Sequence, residues 1–210
     1  MNRCLKPATA LFCCLLGASS CTELQPIEIK GDDGRVLEKY AVDKTSKQKH
    51  GIYSRFSSNG NLSETAEYKN DLMNGKRTRF YPSGKVEEFY FYKAGKEHGI
   101  YKGFHENGKV KKEGQYGNGV MEGEWKFYYP TGALKTICFF KNNLENGSFK
   151  EYTETGVLTA EGTYLDEKEH GLLKIYDEVT GQLKRQMHCD NGTCRTTWVS
   201  PDFRDTSKNL

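Results

Sequence analysis

Five prolines in 210 residues, a 36% share of apolar residues and no long run of like charge set the first limits on this chain. So little apolar material argues against a thick globular core. The absence of a basic stripe argues against a nucleic-acid binder. The formal charge is +3; without Arg3 and Lys6, in the segment expected to be removed, 29 basic residues face 28 acidic ones. What is abundant is different. There are 22 glycines, 13 tyrosines and 11 phenylalanines, so many turns accompany apolar surface concentrated in large rings. With so little proline, this composition reads as a wet, turn-rich β protein and not a disordered one.

Residues 1–20 stand apart. Two basic residues and no acid precede an apolar run from Ala8 to Ala18, too short to cross a bilayer but suited to a secretory signal. Leu15 to Cys21 resembles a bacterial lipoprotein signal, in which the cysteine after the cut is acylated. The resemblance implies a lipidated Cys21, a tethered linker over 21–30 and a membrane-anchored location in the cell envelope. Ordinary cleavage at the same bond would leave a soluble secreted or periplasmic chain. Cys138, Cys189 and Cys194 are then the cysteines of the folded part.

Glycines recur at 51, 75, 99, 123, 147 and 171, a constant step of 24, and a second series runs 60, 84, 108, 132, 156 and, after one inserted residue, 181. Five residues after the first glycine stands an aromatic (Phe56, Phe80, Phe104, Tyr128, Tyr152, Tyr176). Eleven after it stands Leu or Val, and seventeen after it another ring, as in Tyr68, Tyr92, Tyr116, Phe140 and Tyr164. The aliphatic residue and the later ring are six apart and share a strand face. Between them fall small residues such as Ala66, Gly114, Cys138 and Gly162, leaving room for neighbouring rings. Turns such as Pro130-Thr131-Gly132 need φ > 0 at glycine. The second turn of each unit, as in Lys93 to Gly99, reads as longer and looser. Each unit is thus a hairpin. The expected fold is all-β, an elongated antiparallel meander of six tandem hairpins over 31–194, with about twelve strands spanning roughly 55–60 Å. Residues 195–210 form a tail or cap.

Gly123-Glu124-Trp125-Lys126-Phe127-Tyr128-Tyr129-Pro130-Thr131-Gly132-Ala133-Leu134 carries a recognisable signature, Gly-x-aromatic-x-x-Tyr-x-x-x-Gly-x-Leu. It resembles the variant form of the MORN repeat, recurring from Gly51 to about His188. The resemblance implies an elongated, often single-layered sheet. Gly34 to Tyr40 looks like half a unit capping the N-terminal edge.

Chemistry finds little foothold. His50, His98 and His170 belong to the first, third and sixth units, so the nearest pair stands ~19 Å apart, too far to share a metal. No nucleophile elbow occurs, and Gly117-x-Gly119 has no helix after it to make a phosphate loop. The expectation is no catalytic residue, no metal and no cofactor. Cys189 and Cys194 bracket Asn191-Gly192, so a hairpin there places them at disulfide distance. For the rings two residues after the glycine (Tyr53, Tyr101, Trp125, Phe149) two readings stay open. They form a partly exposed binding surface, or they pack on one another along the stack. The function expected is a non-catalytic scaffold binding a protein or envelope polymer. The alternative is an antitoxin or immunity-type protein that neutralises a toxin. Direct binding of lipid headgroups is disfavoured by the low net charge.

Overall fold

The computed structural model describes residues 23–203; Cys21 and the signal-like segment lie outside them. Seventeen strands form one antiparallel sheet that pairs in chain order, except that two two-residue strands, Lys96–Glu97 and Lys168–Glu169, each share the preceding strand with the one that follows. The first hairpin is β1 (Leu24–Lys30) and β2 (Val36–Asp43), and the second is β3 (Gly51–Phe56) and β4 (Leu62–Lys69). Next come β5 (Leu72–Phe80), β6 (Val86–Lys93), the two-residue β7 (Lys96–Glu97), β8 (Gly99–Phe104) and β9 (Val110–Gly117). The sheet continues through β10 (Val120–Tyr128), β11 (Leu134–Lys141), β12 (Leu144–Tyr152), β13 (Leu158–Leu165) and β14 (Lys168–Glu169). It closes with β15 (Gly171–Tyr176), β16 (Leu183–Asp190) and β17 (Thr193–Val199). No helix among the described residues is long and apolar enough to cross a membrane.

Three expectations change. Residues 24–30 are not linker. β1 pairs with β2 along its whole length, from Leu24↔Asp43 to Lys30↔Val36, so the N-terminal cap is a full hairpin and not half a unit. At the other end β17 covers β16. The second turns are tight: their two central residues, such as Asn118 (φ 51) and Gly119 (φ 89), are both left-handed. That is the two-residue turn that matches strand twist. Asn, Asp and Gly tolerate it best, which explains Asn70-Asp71, Asn142-Asn143 and Asn191-Gly192 at the same place.

Each unit also bends at its glycine. In β10, Glu122 pairs with Gln115 and Lys126 with Glu113, so three residues, Gly123 to Trp125, face only Gly114. Gly123 takes up this bulge at φ 71. Both edges are sewn from unit to unit. The Tyr81 and Tyr129 hydroxyls donate to the carbonyls of Phe104 and Tyr152, and His105 Nε2 meets that of Tyr128. On the opposite edge the amides of Gly95, Gly119, Glu167 and Gly192 donate to the carbonyls of Met73, Glu97, Glu145 and Glu169.

Candidate functional site

A single sheet has two faces, and here they differ. Two residues after the repeat glycine the inner face carries a ring in four units (Tyr53, Tyr101, Trp125, Phe149), each opposite a small residue of the next strand, and Arg77 and Leu173 in the second and sixth. Trp125 is fully buried, stacked on Tyr101 at 5.4 Å and edge-on to Tyr116 at 5.3 Å. Phe149 sits 4.5 Å from Tyr164 and belongs to a cluster with Cys138 and Ala160. Tyr53 and Tyr101 are 3% and 1% exposed. Tyr53, Tyr101, Trp125 and Phe149 therefore do not form an open binding surface. The reason is close approach: a Cβ on Gly114 would lie 2.2 Å from Trp125, and one on Gly162 2.9 Å from Phe149. The rings sink into notches left by missing side chains.

The inner face is also where carboxylates are held. Glu88 is buried, accepting from Arg79 (2.8 Å) and Tyr101 (3.0 Å), and Glu64 takes both arms of Arg77 at 3.0 Å. Among the described residues Glu145 has no such partner. Burial, then the nearby Glu167, Glu151 and Glu169, push its carboxyl above the usual carboxylate range. Burial likewise pushes the Cys138 thiol up to about 12, which suits a packed thiol and not a nucleophile. Cys189 and Cys194 are directly paired across β16 and β17 and are joined by a disulfide. No group of three His, Cys, Asp or Glu among the described residues could hold a metal.

The outer face stays open to solvent. One row crosses it in strict register: Lys102↔Glu113, Glu113↔Lys126, Lys126↔Ile137, Ile137↔Lys150, Lys150↔Glu161, Glu161↔Lys174 and Lys174↔Gln186. Glu113 accepts from Lys102 (2.8 Å) and from the Tyr128 hydroxyl (2.7 Å), and these hold its carboxyl below the ordinary range. Glu161 repeats the arrangement with Lys174 (2.9 Å) and Tyr176 (2.8 Å), Lys150 standing at 3.7 Å. Shallow cavities of about 430 and 190 Å³ lie over the two copies. Beside the row an apolar residue recurs, Ile52, Phe91, Ile100, Phe139 and Leu172, each 37–60% exposed. Carboxylates stand among these lysines: Glu113, Glu122 and Glu124 line one cavity with Lys102 and Lys126, and Lys126 pairs with Glu124 at 3.0 Å. The signal of the row was a lysine at 102, 126, 150 and 174, the same step of 24 that places the glycines.

A sequence-family model described as "MORN repeat variant" matches residues 49–70, 73–94, 97–118, 121–142 and 145–166. Among curated proteins nothing matches. A crystal structure of an S. aureus TarM mutant in complex with Fondaparinux, alpha-GlcNAc-glycerol and UDP is 19% identical over 69% of this chain and 21% of that chain, with a TM-score of 0.21. This chain thus spans about a fifth of that protein. A Bacteroides fragilis protein of unknown function is 8% identical over 90% of this chain and 100% of its own, with a TM-score of 0.12.

Proposed function

The chain belongs to the MORN repeat variant family, and from that premise we propose that it is a non-catalytic, membrane-tethered scaffold whose outer sheet face binds a protein or an envelope polymer. The division of labour between the faces carries this reading. Packing consumes the inner rings, whereas the outer face keeps ordered rows of lysine, tyrosine and exposed Ile, Leu and Phe in solvent. Such mixed apolar and polar surface is the common make-up of an interaction site. The tether rests on the placement of Cys21 after Ser19-Ser20.

Two experiments test the two parts. Photo-crosslinking residues at Ile100 and Phe139, on the outer row, should trap the same partner in intact cells, whereas one at Val179, in the last long turn, should not. Equal trapping at all three, or none at Ile100 and Phe139, would refute the outer-face reading. Cys21→Ser should move the protein from the membrane to the soluble exported fraction. An unmodified Cys21 in the wild-type protein would refute the tether.

A further inference from the structure

We propose that a cavity of about 480 Å³ where the third, fourth and fifth units meet binds a short zwitterionic peptide. The peptide's N-terminal ammonium sits on Glu145 and Glu151, and its C-terminal carboxylate on Lys111 and Lys135. All four side chains line the cavity, with Phe127 and the buried Cys138 between them. Among the described residues none of the four stands within ion-pair distance of an opposite charge. His105, the remaining titratable side chain but one of that lining, is already held by the Tyr128 carbonyl at 3.0 Å. Cys138 belongs to the inner face, so this site goes beyond the outer-face reading above.

The regular units show what is missing here. One row of the inner face runs Glu38↔Arg55↔Glu64↔Arg79↔Glu88, each carboxylate standing beside a cation. Farther along, the same row reads Phe127↔Thr136↔Glu151↔Ala160, and Glu151 has no cation on either side. Glu145 is orphaned by a different exchange. Its counterpart Glu97 lies opposite Tyr92 and accepts that hydroxyl at 2.9 Å, whereas Glu145 lies opposite Phe140, which has none to give. The lysines depart from the pattern as well. Their counterpart Glu87 pairs with Arg79 at 3.4 Å, and their counterpart Thr159 donates to the Glu151 carbonyl. Lys111 and Lys135 are the extra residues of the bulges beside two tight turns, and both reach the cavity. Partly buried charges without partners work against folding, and such local exceptions are what a binding site retains.

Spacing sets the length of the ligand. Burial, then Glu145 and Glu151, raise the Cys138 thiol, which places both carboxylates near it. Lys135 lies three residues from Cys138 along β11, about 10 Å. An extended chain covers about 3.5 Å per residue, so a free amino acid is too short and two or three residues join the two ends. Phe127 gives the side chains of such a peptide an apolar wall. A diamine or a dicarboxylate would satisfy one end of the cavity and set like charge against the other.

The test is calorimetric titration of the full chain with trialanine, N-acetyl-trialanine and trialanine amide. Trialanine should bind at least tenfold more tightly than either blocked form, because each block removes one charge-assisted contact. This comparison on the unmodified chain needs no variant. Glu145→Gln combined with Glu151→Gln should weaken trialanine by about tenfold or more and abolish discrimination against the acetylated form alone. Lys111→Gln combined with Lys135→Gln should do the same for the amide alone, a crossed pattern that loss of folding cannot produce. Lys69→Gln combined with Lys93→Gln, at the exposed ends of β4 and β6, should change nothing. No saturable binding of trialanine, equal binding of the three peptides, or equal loss for all three in both cavity variants would each overturn the proposal. Crosslinking from Ile100 and Phe139 reports on the outer face, so either reading can fail while the other stands.

Discussion

Trp125 and Gly114 form a lock whose two parts should be separable by a double-mutant cycle. Trp125 is fully buried against Tyr101, Tyr116 and Phe140. Trp125→Ala should therefore cost about 4 kcal/mol, as truncation of a buried large ring does. Gly114→Ala adds one methyl, but its Cβ would lie 2.2 Å from indole Cδ2 and 2.4 Å from Cε2. These atoms sit in the rigid bicycle, so either ring or strand must shift, at a cost of about 2 kcal/mol. Once the indole is gone the sign reverses. Alanine in a strand is better than glycine by about 0.5–1 kcal/mol, so Gly114→Ala should then stabilise, and the coupling energy should be about 3 kcal/mol. Urea melts of the four proteins, followed by far-UV circular dichroism, measure this. Equal slopes show that the same cooperative unit is being compared, a necessary check in a repeat array. If Gly114→Ala stays destabilising without the indole, or Trp125→Ala costs less than about 1 kcal/mol, the inner face is not packed as described.

Two further outcomes follow from ionisation and thiol chemistry. Glu145 has a raised carboxyl pKa, so its charged form destabilises the fold; the penalty is absent below the ordinary value of 4.5 and grows as pH rises through the raised one. Glu145→Gln should raise the melting temperature at pH 7 by on the order of 1 °C and give no gain near pH 4; a gain of equal size at both pH values would refute this. Non-reducing peptide mapping should find Cys189 linked to Cys194, and Cys138 should resist maleimide until denaturant is added. Rapid labelling of Cys138 in the folded protein would show that its strand is not buried.

The period of the array was legible because it is enforced at the backbone. Gly123 and its counterparts sit at positive φ where a side chain is strained, so the spacing survives in the letters. The location of the rings was half legible. Small residues at 66, 114, 138 and 162 signal room for a ring, and Trp125 fills that room; what spacing could not show was how completely its neighbours close over it. The tightness of the second turn was missed because Lys93 to Gly99 looks long until His98 and Gly99 are recognised as bulge and strand, not loop. The outer row of lysine and glutamate is not visible along the chain because strand register assembles it. Lys102 and Lys126 are 24 residues apart in sequence yet stand two strands apart in the sheet.

The sewn edges make length an inheritable variable. Along the edge of the second turns the seams run between equivalent atoms of adjacent units, as Gly95 to Met73 repeats in Gly119 to Glu97. Excising residues 99–122 would bring Gly123 to the place of Gly99 and set the amide of Asn143, which now donates to the Met121 carbonyl, opposite that of Glu97. Duplication or loss of one unit by recombination therefore changes the sheet by one hairpin, about 10 Å, without altering any turn or register. Selection can lengthen or shorten the array in whole units, as a ruler is cut at its marks, while the glycines and rings within each unit stay as they are.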